Sequence, residues 1–96
     1  MRWENQLTLP KAALARTYDT SISSATDITL NTSTTLIEVT AIDQGVFLRY
    51  AATASSATAD EYIHADTTRH FVRPAGVTVI SVIERAATGA VVVIEK

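Results

Sequence analysis

Apolar and polar residues alternate along several short stretches of the chain beyond residue 19. Successive side chains of a β-strand point to opposite faces, so this period of two predicts half-buried strands. The clearest example is the stretch 36–42, in which Ile37, Val39 and Ala41 share one face. A polar-rich strand begins at Ile22, and further strands are predicted at residues 27–30, 36–42, 46–50, 61–64, 69–73, 77–84 and 90–95.

Clusters of turn residues separate these strands, as at residues 31–33 and 74–76. Seven or eight short strands with turns at intervals of about 8–12 residues are typical of a β-sandwich or jelly roll. The short turn at residues 43–45 predicts that strand 36–42 pairs with strand 46–50 as a hairpin. Residues 51–60 are almost wholly Ala, Ser and Thr, which predicts a mobile loop.

Two of the predicted strands have no polar face. Residues 77–83 read V-T-V-I-S-V-I, and residues 90–94 read A-V-V-V-I. Apolar side chains on both faces need a second cover, which the N-terminal segment, a neighbouring copy or a larger assembly could supply. We therefore expect the protein to self-associate, as a trimer. We also expect the last strand to lie centrally in its sheet.

Residues 1–18 lack the alternation of the rest and are predicted to form an extended arm, which leaves residues 19–96 as the β-sandwich domain. The arm carries the single tryptophan, Trp3, together with Leu7 and Leu9. These apolar residues are too sparse to form a core, so we expect the arm to be ordered only by what it docks against. Trp3 then packs either on its own sandwich or on another subunit.

Composition narrows the class of protein. A chain of 96 residues has the size of one domain, and its abundant Val, Ile and Thr favour sheet over helix, which predicts an all-β fold. The net charge of −2 argues against a nucleic-acid partner held by bulk electrostatics. The N-terminus has no signal-peptide core, and no apolar run is long enough to span a membrane. We expect a soluble protein made in the cytoplasm.

No motif points to catalysis, a cofactor or a metal. His64 and His70 flank a predicted turn that could bring them side by side, as a zinc or manganese site requires. That spacing is unspecific, and we expect two surface or interface histidines in a polar hairpin. Gly45, Gly76 and Gly89 are isolated turn positions rather than a phosphate-binding loop, and no serine lies in a nucleophile-elbow motif. We expect no enzyme activity, no cofactor and no bound metal.

Arginine and aromatic residues are the candidates for contacts with partners. Phe47 and Arg49 lie on the same predicted strand face and would form an interface anchor, and Arg73 is a further candidate. A carbohydrate-binding module needs an exposed aromatic platform. The chain's candidates for such a platform are too few and too scattered in the sequence to define one: Trp3, Phe47, Tyr50 and Tyr62.

The stretch EYIHADTTRHFVRPAGVTVISVIERAATGAVVVIEK, residues 61–96, resembles small structural proteins of tailed bacteriophage virions. The similarity is a strand leading into R-P-A-G, then the V-T-V-I-S-V-I strand, a short A-A-T-G loop and a closing apolar strand. TLIEVTAIDQGVFLRYAAT, residues 35–53, is similar to the central hairpin of these proteins. The resemblance covers residues 22–96.

Such proteins often are capsid decoration or cement proteins, which are β-sandwich modules that assemble as trimers on the head and grip the shell with terminal arms. The resemblance therefore implies a non-enzymatic structural protein located in the virion. Its implied partners are further copies of itself and the major capsid protein or other virion subunits. A tail, collar or fibre component is the alternative structural role. From a different class, the alternative is a small glycan-binding β-sandwich that attaches a particle to cells.

Overall fold

The computed structural model describes residues 14–21 and 24–96, and within these ranges it contains eight β-strands and no helix. Among the described residues, therefore, no helix is available to cross a membrane. The strands are β1 Leu14–Thr20, β2 Thr26–Thr29, β3 Leu36–Ile42, β4 Val46–Arg49, β5 Glu61–Ile63, β6 Thr68–Val72, β7 Val79–Glu84 and β8 Gly89–Glu95.

The strands form two antiparallel sheets of four strands each. Sheet A has the order β1-β8-β3-β6, and sheet B has the order β2-β7-β4-β5. Eight strands that interleave between two sheets in this order form a jelly roll. The all-β prediction is confirmed, and so is the prediction that the last strand lies centrally, because β8 pairs with β1 on one side and β3 on the other.

The core lies between the two sheets and is built from the inward-facing side chains of their central strands. Sheet A contributes Ile37, Val39 and Ala41 from β3, while β4 and β7 of sheet B contribute chiefly Val, Leu and Ile. Phe71 is the only aromatic side chain among the buried members of this core. Such β-branched and aliphatic residues fill the narrow space between facing sheets without polar atoms.

The predicted hairpin between residues 36–42 and 46–50 is wrong, because β3 and β4 belong to different sheets. Both edges of β3 are already occupied, by β8 and by β6, so no edge remains for β4 to pair with. The link at residues 43–45 instead carries the chain across the end of the sandwich. Asp43 takes the left-handed conformation there, with φ at 71°, which turns the backbone toward sheet B.

The structure places part of the predicted arm inside the sandwich. Residues 14–18 belong to β1, which pairs with β8 along its whole length from Leu14 to Thr20. Pairing with the exposed edge of an apolar strand outweighs the local helix preference of Ala15. Trp3, Leu7 and Leu9 lie outside the described residues, as does Ile22, where the polar-rich strand was predicted.

The second apolar face of β7 is covered by the chain's own loop at residues 51–60. The Ala54 amide donates to the Ser81 hydroxyl at 3.0 Å, and Ala54 is only 3% exposed. The Thr53 amide donates to an Asp27 carboxylate oxygen at 2.8 Å, which fixes the loop to β2. Because their side chains are small, these residues bring the loop backbone close to the outer face of sheet B.

One carboxyl group faces the core at the end of β7. Glu84 is 3% exposed, one of its oxygens accepts a hydrogen bond from the Thr20 hydroxyl, and the other has no hydrogen-bond partner. Burial raises the pKa of Glu84 above its ordinary value of 4.5, and the Thr20 hydrogen bond opposes that rise. An ionised carboxylate is costly in such surroundings because one oxygen receives no compensating donor.

We predict that Glu84 makes the folded state less stable as the pH rises. Because the pKa of Glu84 is raised on folding, the folded chain binds the proton more tightly than the unfolded chain. The destabilisation is therefore absent below pH 4.5, grows as the pH rises toward the folded pKa, and is complete above it. Melting temperatures of Glu84→Gln across this range should fall less with increasing pH than those of the unaltered protein.

Glu38→Gln is the matched control, since the pKa of Glu38 is lowered rather than raised. Its carboxylate stabilises the folded state above pH 4.5 and loses that contribution as the pH falls, so the control should change the pH dependence in the opposite direction. A Glu84→Gln profile parallel to that of the unaltered protein would contradict the assignment.

Candidate functional site

The outer face of sheet A exposes an apolar pair. Leu36 and Val72 lie directly opposite each other on β3 and β6, and they are 46% and 74% exposed. They are the large hydrophobic side chains with the greatest exposure in the described chain. Val92 and Ile94 of β8 point to the same outer face and are half-buried. We call this surface, defined by these four residues, the sheet A face.

Charged side chains flank the apolar pair on the sheet A face. Glu38 forms an ion pair with Lys96, and its carboxylate also lies 3.4 Å from the Nε2 atom of His70. The hydrogen bond from Lys96 is the main reason that the pKa of Glu38 lies below its ordinary value. An apolar patch with a rim of charged residues is the composition expected of a protein–protein contact.

The outer face of sheet B carries an aromatic cluster. Phe47 of β4 is the direct cross-strand partner of Tyr62 on β5, and their ring centroids lie 5.1 Å apart at an interplanar angle of 53°. His64 meets the Tyr62 ring edge-on at 4.9 Å, and the Arg85 guanidinium lies 5.9 Å from the centre of the same ring. The four side chains line one cleft of about 330 Å³, which we call the Phe47 cleft.

Glycine at position 45 makes room for this cluster. A Cβ atom at Gly45 would lie 1.9 Å from the Tyr62 hydroxyl oxygen and 2.6 Å from the ring carbon that bears it. The Arg85 amide also donates to the Gly45 carbonyl at 3.0 Å, which brings the loop that follows β7 to the same place. The end of the Tyr62 ring therefore lies against bare backbone.

Two further surfaces adjoin the Phe47 cleft, and the Phe47 ring lines both of them. One is bounded by Ser56, Asp60 and Glu61, and the other by Ser55, Ile83 and the residues that follow it. The half-buried Phe47 ring is thus the centre of a continuous shallow depression. Hydroxyl and carboxylate groups border it on one side, and His64 and Arg85 border it on the other.

The two arginines predicted as interface anchors are engaged within the chain. Arg49 shares the outer face of sheet B with Phe47, as predicted, but its guanidinium donates to the backbone carbonyls of Ala52 at 2.9 Å and Thr53 at 3.3 Å. Arg73 reaches the carbonyls of Val77 and Thr32 at 3.4 and 3.5 Å. Both arginines therefore hold loops of their own subunit.

The two histidines are not brought together, so the predicted polar hairpin around them is wrong. His64 follows β5 in sheet B and packs on Tyr62, whereas His70 lies on β6 in sheet A and pairs with Glu38. Over residues 14–21 and 24–96, no group of three or more His, Cys, Asp or Glu side chains converges as metal ligands would.

Tyr50 lies apart from the aromatic cluster and acts in packing. Its ring meets Phe71 edge-on at 5.9 Å, and its hydroxyl donates to Glu61 at 3.2 Å. Partial burial, with a further contribution from the Glu61 carboxylate, raises the pKa of Tyr50 to about 12. Tyr50 is thus part of the rim of the core, which leaves Phe47 and Tyr62 as the aromatic pair on the surface.

The site residues that the sequence analysis missed are Tyr62, His64 and Arg85 as partners of Phe47. Tyr62 appeared among scattered aromatic residues because 15 positions separate it from Phe47. Only the register of β4 against β5 places the two side by side. No local motif carries this information, although a correct pairing of the two strands would have revealed it.

No protein-family model, curated protein or solved structure matches this chain.

We predict that Gly45→Ala displaces the Tyr62 ring. The added methyl group overlaps the tyrosine hydroxyl, so the ring must rotate away, at a cost to folding of about 1–3 kcal/mol. The displacement should appear as large shifts in the Tyr62 ring proton resonances, and the cost should appear in urea unfolding.

A double-mutant cycle separates this overlap from general backbone effects. In a Tyr62→Ala background, Gly45→Ala should cost much less, because the group that it overlaps has been removed. An equal cost in both backgrounds would show that the glycine serves the backbone rather than the ring.

Proposed function

We propose that this chain is a non-enzymatic structural protein that assembles into a phage particle as a head decoration protein. In this role it self-associates as a trimer and stabilises the shell by burying the sheet A face between subunits. Its partners are further copies of itself and the major capsid protein. The mechanism is mechanical, since each buried contact adds binding free energy that opposes rupture of the shell.

The observation that carries the proposal is the exposed pair of Leu36 and Val72 on the sheet A face. Fully burying a side chain of this size contributes about 1.5–3 kcal/mol. Val92 and Ile94 add apolar area on the neighbouring strand β8, where Ile94 lies opposite Glu38 and Val92 lies opposite Thr40.

The outer faces of the two sheets differ in how they are covered, and this difference supports the sheet A face as the contact between subunits. Residues 51–60 cover the outer face of sheet B around Ser81, which accounts for the apolar outer residues of β7 within one subunit. In the described chain, no loop is hydrogen-bonded across the sheet A face in the same way. The apolar outer face of β8 is thus the one that a partner would complete.

The jelly-roll fold and the resemblance to phage virion proteins both support a role as a subunit of a particle. Jelly rolls occur in viral capsid proteins as well as in lectins, so the architecture suits a particle subunit without determining one. The resemblance of residues 22–96 to phage virion proteins favours the particle.

We predict that Val72→Lys weakens self-association at least tenfold. Val72 is 74% exposed in the single subunit, so the lysine is tolerated there but would place an unpaired charge in an apolar contact. Sedimentation equilibrium at micromolar concentration should show a trimer for the unaltered protein and a smaller species for the variant.

Thr29→Lys is the matched control, because Thr29 is also exposed on a strand but belongs to sheet B. This variant should associate like the unaltered protein. A monomer of 10.3 kDa for the unaltered chain, or equal weakening by both lysines, would contradict assembly through the sheet A face.

A second prediction concerns the N-terminal segment, for which two truncations should differ in their effect on the melting temperature. Deleting residues 1–13 should leave the melting temperature unchanged and weaken association, because these residues are the proposed gripping arm. Deleting residues 1–20 should lower the melting temperature as well, since it removes β1 and exposes the edge of β8. An equal loss of stability in both truncations would show that residues 1–13 belong to the sandwich.

A further inference from the structure

The Phe47 cleft has a fixed aromatic surface. Phe47 is held by its place in β4, and Tyr62 is held between the Phe47 ring, the His64 ring and the backbone of Gly45. An aromatic ring presents an electron-rich face that attracts polarised C–H groups. The pair therefore offers a ready-made surface to a flat ligand that has one apolar face.

The rim of the cleft is divided by charge. His64 and Arg85 line one side, and within the described chain Arg85 forms no ion pair with a carboxylate. Asp60 and Ser56 line the adjoining depression, which shares the Phe47 and Tyr62 rings with the cleft. A ligand that rests on Phe47 would thus meet a guanidinium on one side and hydrogen-bond acceptors on the other.

We propose that the Phe47 cleft binds an acidic saccharide, with the sugar ring on Phe47 and Tyr62 and its carboxylate paired with Arg85. A pyranose has an apolar C–H face and a rim of hydroxyl groups, which matches an aromatic floor with polar walls. The hydroxyl groups on the far side donate to Asp60. A guanidinium pairs with a carboxylate through two parallel hydrogen bonds, so the charge selects uronic or sialic acids over neutral sugars.

The dimensions favour a saccharide over a peptide. The cleft of about 330 Å³ lies at the small end of the range of ligand sites and suits one or two sugar rings. A peptide would have to add a strand to β5, the edge strand beside the cleft. With three residues, β5 offers too few backbone partners for that mode.

The inference goes beyond the proposed function and does not rest on it. The Phe47 cleft lies on the outer face of sheet B, which is the side of the sandwich opposite the sheet A face. A subunit bound to a particle through sheet A would present the cleft to the surroundings. Many such subunits would bind a polyanionic saccharide with an avidity that a single cleft does not reach.

The test compares two glycosides that differ at one carbon. The ¹⁵N-labelled full-length chain is titrated with methyl β-glucuronide, which carries a carboxylate, and with methyl β-glucoside, which carries a hydroxymethyl group in its place. We expect the glucuronide to shift the amide resonances of Phe47, Tyr62, His64 and Arg85 at millimolar concentration. The glucoside should bind at least fivefold more weakly.

Variants assign the roles of the side chains. Arg85→Gln should reduce the affinity for the glucuronide to that for the glucoside, whereas Arg73→Gln should change neither affinity. Arg73 is a suitable control because its guanidinium contacts the carbonyls of Val77 and Thr32, neither of which lines the cleft. Phe47→Leu should weaken both glycosides at least fivefold and leave the rest of the amide spectrum in place, which shows that the variant is folded.

Three results would overturn the proposal. The first is that neither glycoside shifts the resonances of the cleft, and the second is that both bind equally well. The third is that the preference for the glucuronide survives Arg85→Gln, which would place the carboxylate elsewhere. None of these results bears on self-association, which sedimentation measures independently.

Discussion

The fold depends on how a short chain fills a narrow space between two sheets. The inward positions of β3, β4, β7 and β8 are almost entirely Val, Ile, Leu and Ala, and they are buried completely or nearly so. Since side chains alternate with a period of two, a slip of one residue in any of these strands would turn its core residues outward. This alternation therefore determines the register of both sheets, and the register determines every surface described above.

An aliphatic core leaves most aromatic residues outside it. Among the described residues, Phe71 is the one aromatic side chain buried in the core, and Tyr18 and Tyr50 pack at its margin. Phe47 and Tyr62 take outward positions on neighbouring strands of sheet B, where they meet each other. The same register places Leu36 opposite Val72 on sheet A. Both candidate surfaces thus follow from the pairing that fills the core.

The two outer faces differ because of one loop. Residues 51–60 lie over sheet B, where Ala54 is small enough to approach the Ser81 hydroxyl closely. The Arg49 guanidinium holds the same loop through its carbonyl groups. Small side chains, which predicted a mobile loop, are also what a segment needs in order to lie flat on a sheet. The apolar outer residues of β7 are covered in this way within one subunit, whereas no loop of the described residues is hydrogen-bonded over those of β8.

The sequence was sufficient to locate the strands, but it did not determine which strands pair with each other in the sheets. Alternation located β3 at its observed bounds, because burial on one face imposes a period of two. Alternation or apolar runs between turn residues placed the other predicted strands after residue 26 to within about two residues. The turn at residues 43–45 did not reveal whether the chain doubles back or crosses to the other sheet, since both need a short link. The cluster at Phe47 depends on that pairing. Arg49 and Arg73 were predicted to contact partners, but both donate hydrogen bonds to backbone carbonyls of their own chain. These carbonyls belong to loops, and the sequence does not specify the paths that the loops take.

The central claim is that the sheet A face is buried in the assembly while the Phe47 cleft stays open. Hydroxyl-radical footprinting of the dilute and the assembled protein, read by mass spectrometry, tests it most directly. We expect Leu36 and Val72 to lose most of their oxidation on assembly, whereas Phe47 and Tyr62 should be oxidised as before. Protection of Phe47 and Tyr62 with Leu36 and Val72 still reactive would contradict it.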